Sequence, residues 1–343
     1  MDEFSGLIRN WYQINKRNLP WRKEKNPYYI WLSEVILQQT QVVQGLNYYL
    51  KFKAAFPSIK SLAKSDEETI LKLWQGLGYY SRARNLHYAA KQILNDYGGH
   101  FPKTFDEIIK LKGVGDYTAA AISSFAFEEP RAVVDGNVFR VLSRVFKIST
   151  PINSGQGKKE FTKLANTLLS QKMPGEHNQA IMELGALVCR PKLPDCQNCP
   201  LQTKCLSYAD QTQLSFPVKN KNITINTRHL NYLIITDGNH LLIKKRSGKG
   251  IWQGLYDFPM IETTEPLKVV EHFEHFEIGK QKKDLELKHI LTHQRLEAKF
   301  WIIFTESKIE LLNYITINKS DIEDYPLPQL IVRYINESDF FRR

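Results

Sequence analysis

Cys189-Arg190-Pro191-Lys192-Leu193-Pro194-Asp195-Cys196-Gln197-Asn198-Cys199-Pro200-Leu201-Gln202-Thr203-Lys204-Cys205 contains all four cysteines of the 343-residue chain, spaced C-x6-C-x2-C-x5-C. A secreted scaffold spreads its cysteines to staple distant segments, which a single short cluster cannot do. Clustered thiols read instead as metal ligands, and Pro191, Pro194 and Pro200 supply the tight turns that would bring four sulfurs together. A four-thiolate zinc site and a [4Fe-4S] cluster both satisfy this ligand count, and the spacing alone leaves both open. A chance grouping of inert thiols is the plainer alternative.

The chain changes character on either side of this loop. Upstream, apolar residues recur every three or four positions over 4–14, 29–37, 45–55, 67–74, 82–94, 105–110, 117–126, 138–146, 158–170 and 177–188. Phe56-Pro57, Gly98-Gly99 and Phe101-Pro102 punctuate the gaps. An all-α body over residues 1–210 is predicted. Residues 211–228 are polar and basic around Pro217 and read as a linker. Strand-like runs follow at Tyr232–Thr236, His240–Lys244 and Lys299–Thr305, with a turn at Asp237-Gly238-Asn239. They predict an α+β or mostly β domain over residues 229–340.

Lysine and arginine number 47 against 36 aspartates and glutamates, a net charge of +11. That surplus points to a polyanion such as nucleic acid, although a soluble enzyme can simply be basic. No apolar run approaches the roughly 20 residues of a membrane span, and MDEFSGLIRNWYQ is not a secretory signal, so a cytoplasmic protein is expected.

Two further features concern chemistry. In Leu111-Lys112-Gly113-Val114-Gly115-Asp116-Tyr117-Thr118-Ala119-Ala120-Ala121 a glycine turn opens an apolar helix. Gly113 and Gly115 let a phosphate approach the backbone, where free N–H groups of the helix start can bind it. A plain helix–helix turn has the same look. The second feature is a pair of carboxylates. Glu34 lies in Trp31-Leu32-Ser33-Glu34-Val35-Ile36-Leu37-Gln38-Gln39-Thr40-Gln41-Val42, where helical spacing sets Glu34, Leu37, Gln38 and Gln41 on one face. Apolar flanks there favour the acid form. Asp135, in Val133-Val134-Asp135-Gly136-Asn137-Val138, precedes a helix whose positive end would keep it ionised, or it is simply an N-cap. One protonated and one ionised carboxyl group can divide the work of glycosidic bond cleavage.

The cysteine spacing resembles the iron–sulfur loop of the endonuclease III superfamily of DNA glycosylases. The L-x-G-V-G turn over residues 111–121 resembles its helix-hairpin-helix, and Val133–Val138 its catalytic aspartate segment. Within that superfamily, WLSEVILQQTQV, Gly76-Leu77-Gly78-Tyr79-Tyr80-Ser81-Arg82 and Asn178-Gln179-Ala180-Ile181-Met182-Glu183-Leu184-Gly185 resemble the MutY adenine DNA glycosylases. The likeness runs from about residue 4 to 210, and less clearly over 228–340. It implies a [4Fe-4S] cluster on Cys189, Cys196, Cys199 and Cys205. It implies Glu34 as the acid that protonates adenine N7, Asp135 stabilising the cationic sugar, and Tyr117 and Asn137 in support. Trp21, Arg22, Leu37 and Gln179 would line the adenine pocket, and Gln39 and Tyr79 would wedge into the duplex. The implied partner is double-stranded DNA with adenine opposite 8-oxoguanine or guanine, bound by a nucleoid-associated monomer.

One position separates subfamilies. Relatives that also cleave the strand carry a lysine nucleophile just before the hairpin threonine, where this chain has Tyr117, and Lys112 stands elsewhere. A monofunctional enzyme is expected. The C-terminal domain, including Gly250–Pro259, resembles the Nudix-like domain of the same family. It lacks the R-E-x2-E-E box of a Nudix hydrolase, and Glu271–Glu277 does not replace it. Where the family reads 8-oxoguanine with Phe-Ser-His, this chain has Leu291-Thr292-His293, keeping a hydroxyl and the histidine but losing the aromatic ring. Three alternatives remain: another iron–sulfur glycosylase of this fold, a non-catalytic redox-sensing DNA-binding protein, and a free-nucleotide hydrolase.

Overall fold

The computed structural model describes residues 2–220, 225–270, 272–273, 276–277, 280–306 and 310–342. Twelve helices precede the first strand among them: α1 (Asp2–Asn15), α2 (Pro27–Leu37), α3 (Val42–Ala55), α4 (Ile59–Lys64), α5 (Glu67–Trp74), α6 (Ser81–Asp96), α7 (Phe105–Ile108), α8 (Asp116–Phe127), α9 (Gly136–Val145), α10 (Gly155–Leu168), α11 (Pro174–Leu187) and α12 (Leu206–Ala209). Each of the ten segments with helical periodicity contains a helix. Two helices, α4 and α12, of six and four residues, lie outside those segments. Among the described residues no helix is long and apolar enough to cross a membrane.

Compactness divides the chain into two units, residues 1–63 with 88–221, and residues 64–87 with 222–343. In the first, the core joins Phe4, Ile8 and Tyr12 of α1 to Val138, Val141, Leu142 and Val145 of α9, Phe161 of α10 and Ile181 and Leu184 of α11. Local sequence fixes where these helices begin. The Asn26 side chain accepts from Tyr28 N ahead of Pro27, Ser154 caps α10, and Asp135 caps α9. Residues 211–220 belong to this unit, with Ile152 N donating to Val218 O at 3.0 Å.

The second unit is built on a sheet. Its strands are β1 (Asn226–Thr236), β2 (His240–Lys245), β3 (Tyr256–Asp257), β4 (Met260–Thr263), β5 (His272–Phe273), β6 (Phe276–Glu277), β7 (Gln281–Ile290), β8 (Gln294–Phe304) and β9 (Ile315–Asn318), followed by α13 (Gln329–Glu337). The order β3-β2-β1-β8-β7 forms the spine, with β4 joining β1 and β9 joining β2. β1 and β8 run parallel in register from Asn226 opposite Gln294 to Thr236 opposite Phe304. Leu233, Ile235, Leu242, Trp301 and Ile303 form a core on the sheet, while Tyr334 of α13 stacks on Phe300 at 3.9 Å. The first two strand-like runs fall within β1 and β2, and the third lies in β8 but for Thr305, one residue past its end. β7 carries no strand signal because Leu287 alone among its residues is buried and its sequence, QKKDLELKHI, is polar. Residues 271, 274 and 275 of the Glu271–Glu277 stretch lie outside the described residues.

Candidate active site

Helix α2 is buried over Tyr28 and every residue from Ile30 to Ile36, which carries Glu34 into the interior at 7% exposure. Tyr117, in the first turn of α8, donates its phenol proton to Glu34 Oε2 at 2.9 Å. Burial pushes the Glu34 carboxyl up to about 7, the negative charge of Asp135 adds to the rise, and the Tyr117 hydrogen bond opposes it. Glu34 therefore has a proton to give near neutral pH. Burial and the two carboxylates hold the Tyr117 phenol well above its ordinary value, so it stays a donor. One expectation is corrected: α2 ends at Leu37, and Gln38 and Gln41 do not continue its face. Gln41 is the N-cap of α3, and Gln38 reaches instead to Thr118 Oγ1 at 3.0 Å.

Asp135 caps α9 and is held on three sides. Its Oδ1 accepts from Asn137 N at 2.9 Å and Val138 N at 2.8 Å, and its Oδ2 accepts from Asn137 Nδ2 at 2.7 Å. Arg140 Nη2 then donates to Asn137 Oδ1 and to Gly185 O, both at 2.8 Å. A Cβ on Gly185 would stand 2.6 Å from Asn137 Cβ, so only glycine lets α11 pack against this amide. The helix start and Arg140 pull the Asp135 carboxyl down, but burial outweighs them and its pKa is raised. The expectation that the helix end alone sets its ionisation omitted that burial.

Glu34, Tyr117, Asp135 and Asn137 line one cavity of about 260 Å³ together with Trp21, Arg22, Leu37 and Gln179. These are eight of the residues singled out from the sequence. Trp21 lies edge-on to Tyr49 at 5.3 Å, and Gln179 Oε1 accepts from Tyr12 Oη at 2.5 Å. A wider groove of about 830 Å³ shares Glu34, Leu37, Tyr117 and Asp135 with that cavity. Gln39, Gly115, Arg131 and Lys158 also line it. Gln39 is exposed in the left-handed region at φ 56°, an uncommon conformation for a side chain of this kind. Gly113 takes φ 77° in the turn before α8, and Gly115 caps that helix with no side chain over its first N–H groups. Both glycines are exposed.

Three candidates lie in the second unit. Tyr79 is 51% exposed with φ 47°, on a loop secured by Arg82 Nη2, which donates to Leu77 O and Gly78 O at 3.1 Å. Thr292 and His293 form the exposed tip between β7 and β8, closed by Leu291 N donating to Gln294 O at 2.8 Å. The hydroxyls of Tyr79 and Thr292 meet at 2.6 Å.

The four cysteines line one small pocket with Arg144 and Gln213. Arg144 is buried and ties the loop in place. Its Nε donates to Gln213 O at 2.8 Å, its Nη1 to Arg190 O at 2.8 Å and Cys189 Sγ at 3.3 Å, and its Nη2 to Pro191 O at 3.0 Å. Among the described residues no group of three or more His, Cys, Asp or Glu is drawn together to hold a single metal ion. Four thiols and a cation around one apolar pocket are nonetheless a donor set suited to a larger, anionic thiolate-bound group.

Comparison with known proteins bears on this site directly. The profile of the HhH-GPD superfamily base excision DNA repair proteins matches residues 32–169, and that of the NUDIX domain matches residues 231–337. The adenine DNA glycosylase of Buchnera aphidicola subsp. Baizongia pistaciae is 37% identical over 341 residues, 97% of this chain and 96% of that one. The chain belongs to the adenine DNA glycosylase family. The human adenine DNA glycosylase is 43% identical over 211 residues, covering 59% of this chain and 39% of its own length. Among solved structures, a thermostable thymine-DNA glycosylase superposes with a TM-score of 0.56 at 31% identity, covering 60% of this chain and 95% of that one. An endonuclease III trapped as a covalent intermediate with DNA gives 0.53 at 21% identity, over 60% and 94%, and shares the fold.

Membership of the adenine DNA glycosylase family makes the chain a DNA-binding N-glycosyl hydrolase of base excision repair. Against that activity, two residues of the cavity wall went unnoticed in the sequence, Arg17 and Glu183. Glu183 stands four positions after Gln179 on the apolar helix α11, a spacing that places both on one face. A lone carboxylate in such a helix is the signal that could have marked it.

Proposed function

We propose that the enzyme removes adenine paired with 8-oxoguanine, or with guanine, by hydrolysis without strand cleavage. The observation that carries this reading is the buried Glu34 carboxyl, hydrogen-bonded to Tyr117 at 2.9 Å in the same cavity as Asp135. A flipped adenine in that cavity takes the Glu34 proton at N7, so the base leaves as a neutral purine when the C1′–N9 bond breaks. Asp135, oriented by Asn137, faces the cationic sugar with negative charge, and water adding at C1′ completes the hydrolysis. Trp21, Arg22, Leu37 and Gln179 surround the base. Gln39 and Tyr79, each exposed on a left-handed residue, wedge into the duplex, while Gly113 and Gly115 take a backbone phosphate.

Tyr117 occupies the place of an amine nucleophile, which is why no Schiff base and no prompt strand break are expected. Thr292 and His293 contact the base opposite adenine, making residues 229–340 the lesion-reading domain and residues 1–210 the catalytic one. Cys189, Cys196, Cys199 and Cys205 hold a [4Fe-4S] cluster, whose contribution is to brace the loop they span. The enzyme acts as a monomer.

The test is excision on duplexes with adenine opposite 8-oxoguanine, guanine, cytosine or thymine, followed by alkali. Release opposite 8-oxoguanine and guanine, with strand breaks only after alkali, supports the reading. Equal release opposite all four bases, or prompt breakage, overturns it.

A further inference from the structure

Two arginines in the wall of the base cavity are fixed by one buried carboxylate. Glu183 Oε1 accepts from Arg17 N and Nε at 2.9 Å and from Arg22 Nη1 at 2.8 Å. Its Oε2 accepts from Arg17 Nη2 at 2.7 Å and from Arg22 Nη2. The Glu183 side chain is 1% exposed, and those of Arg17 and Arg22 are 35% and 13% exposed. Arg22 Nη1 also donates to Arg17 O at 2.8 Å, so the two arginines are locked to each other as well as to the carboxylate. Paired with two guanidiniums, Glu183 is held down to about 2 and stays ionised. The cluster as a whole keeps one net positive charge. It also keeps spare donors: the Arg22 guanidinium lies over the Tyr12 ring at 5.5 Å, but Arg17 Nη1 and Arg22 Nε have no hydrogen-bond acceptor among the described residues.

Resting on the assignment of this cavity to adenine, we infer that Glu183 is a positioning residue for the glycosylase reaction. It holds Arg17 and Arg22 so that their remaining N–H groups meet the ring nitrogens of the extruded purine that neither Glu34 nor the sugar occupies, N1 and N3. Those nitrogens are acceptors, and a rigid guanidinium in a partly dry cavity binds an acceptor far better than a mobile one. Gln179 extends the same wall. Its Oε1 is engaged by Tyr12, which leaves its amide N–H groups for the base. The wall therefore offers donors along its length, and Glu183 sets their geometry without touching the base.

Glu183→Gln tests this, because the amide keeps the shape but cannot accept from both guanidiniums through both atoms. Binding is measured to two duplexes: one with 2′-fluoro-deoxyadenosine, which resists cleavage, and one with a tetrahydrofuran abasic analogue, which has no base. The expected result is about a tenfold loss of affinity for the first and no change for the second. Arg17→Lys, which keeps the charge but not the paired hydrogen bonds, serves if Glu183→Gln fails to accumulate, with the same expected pattern. Equal loss on both duplexes, or no loss on either, overturns the positioning role. Glu34→Gln is assayed alongside for excision: normal activity there would overturn the adenine assignment of the cavity itself, which is a different failure.

Discussion

The phenol oxygen of Tyr79 and the hydroxyl oxygen of Thr292 lie 2.6 Å apart, although 213 positions separate them in the chain. The residue proposed to enter the stack and a residue proposed to face the opposite base are thus one hydrogen-bonded element. Tyr79→Phe and Thr292→Val should each reduce the preference for adenine opposite 8-oxoguanine by a few-fold, on the order of the 1 kcal/mol of one hydrogen bond. The double variant should be little worse than either single one. Additive losses in a double-mutant cycle of excision rates would show that the two act separately.

The Glu34 carboxyl, raised to about 7, sets the pH dependence. Just below that value the acid form predominates and single-turnover excision should be insensitive to pH, until more acidic conditions protonate Asp135, whose pKa burial raises, and the rate falls again. Above it the proton donor is lost and the rate should fall, approaching tenfold per pH unit. The Tyr117 hydrogen bond lowers this pKa, so Tyr117→Phe should move the descending limb to higher pH. Glu34→Gln should have no measurable excision at any pH.

Asp135→Asn separates charge from capping. Asparagine keeps the cap to Asn137 N and Val138 N but loses the bond that Oδ2 accepts from Asn137 Nδ2, so thermal stability should fall only by about the 1 kcal/mol of one hydrogen bond. Loss of the negative charge facing the sugar should slow excision by roughly 100- to 1,000-fold, as for other removed electrostatic contacts in active sites. A comparable rate in the variant would remove Asp135 from the chemistry.

The wild-type enzyme should give no covalent adduct with abasic product on borohydride treatment. Tyr117→Lys should give some, because an amine would then stand beside Glu34 in the cavity. Gel analysis of the reduced complexes reads both outcomes.

Arg144→Leu should loosen the cysteine loop. It deprives the carbonyls of Gln213, Arg190 and Pro191 of their shared donor at part-buried contacts, and each hydrogen bond lost is worth about 0.5–1.5 kcal/mol. Lower iron content per chain and a lower melting temperature are expected, with the Glu34 pH limb unchanged. Full iron retention at unchanged stability would contradict the bracing role of this arginine.

Features written in contiguous residues were legible in advance. The apolar run of α2 with one glutamate in it, the glycine turn before Tyr117 and the grouping of the cysteines each show in adjacent residues, and the structure has a buried helix, a helix start and one shared pocket there. The pairing of Arg17 with Glu183 spans 166 positions, and nothing near either residue announces the other. The end of α2 at Leu37 was equally hidden, because Gln38 through Gln41 suit a helix as well as a turn and are decided by the contact of Gln38 with Thr118. β7 lacked a signal because a mostly exposed strand has little to bury.

The second unit draws residues 64–87 together with residues 222–343, and its parallel strands β1 and β8 pair along their whole length. On the ribosome, α5 is made long before these strands emerge. Until then Leu71, which lies beside Gly254 in the finished protein, and Glu68 and Lys72, which bond to Lys245 and Tyr256 and to Tyr325, lack those neighbours. Parallel pairing between distant strands also forms slowly. The nascent chain consequently passes through an interval with α5 only partly covered, in which chaperone capture competes with folding. Fragments cut at the linker retain that helix and carry the same liability permanently.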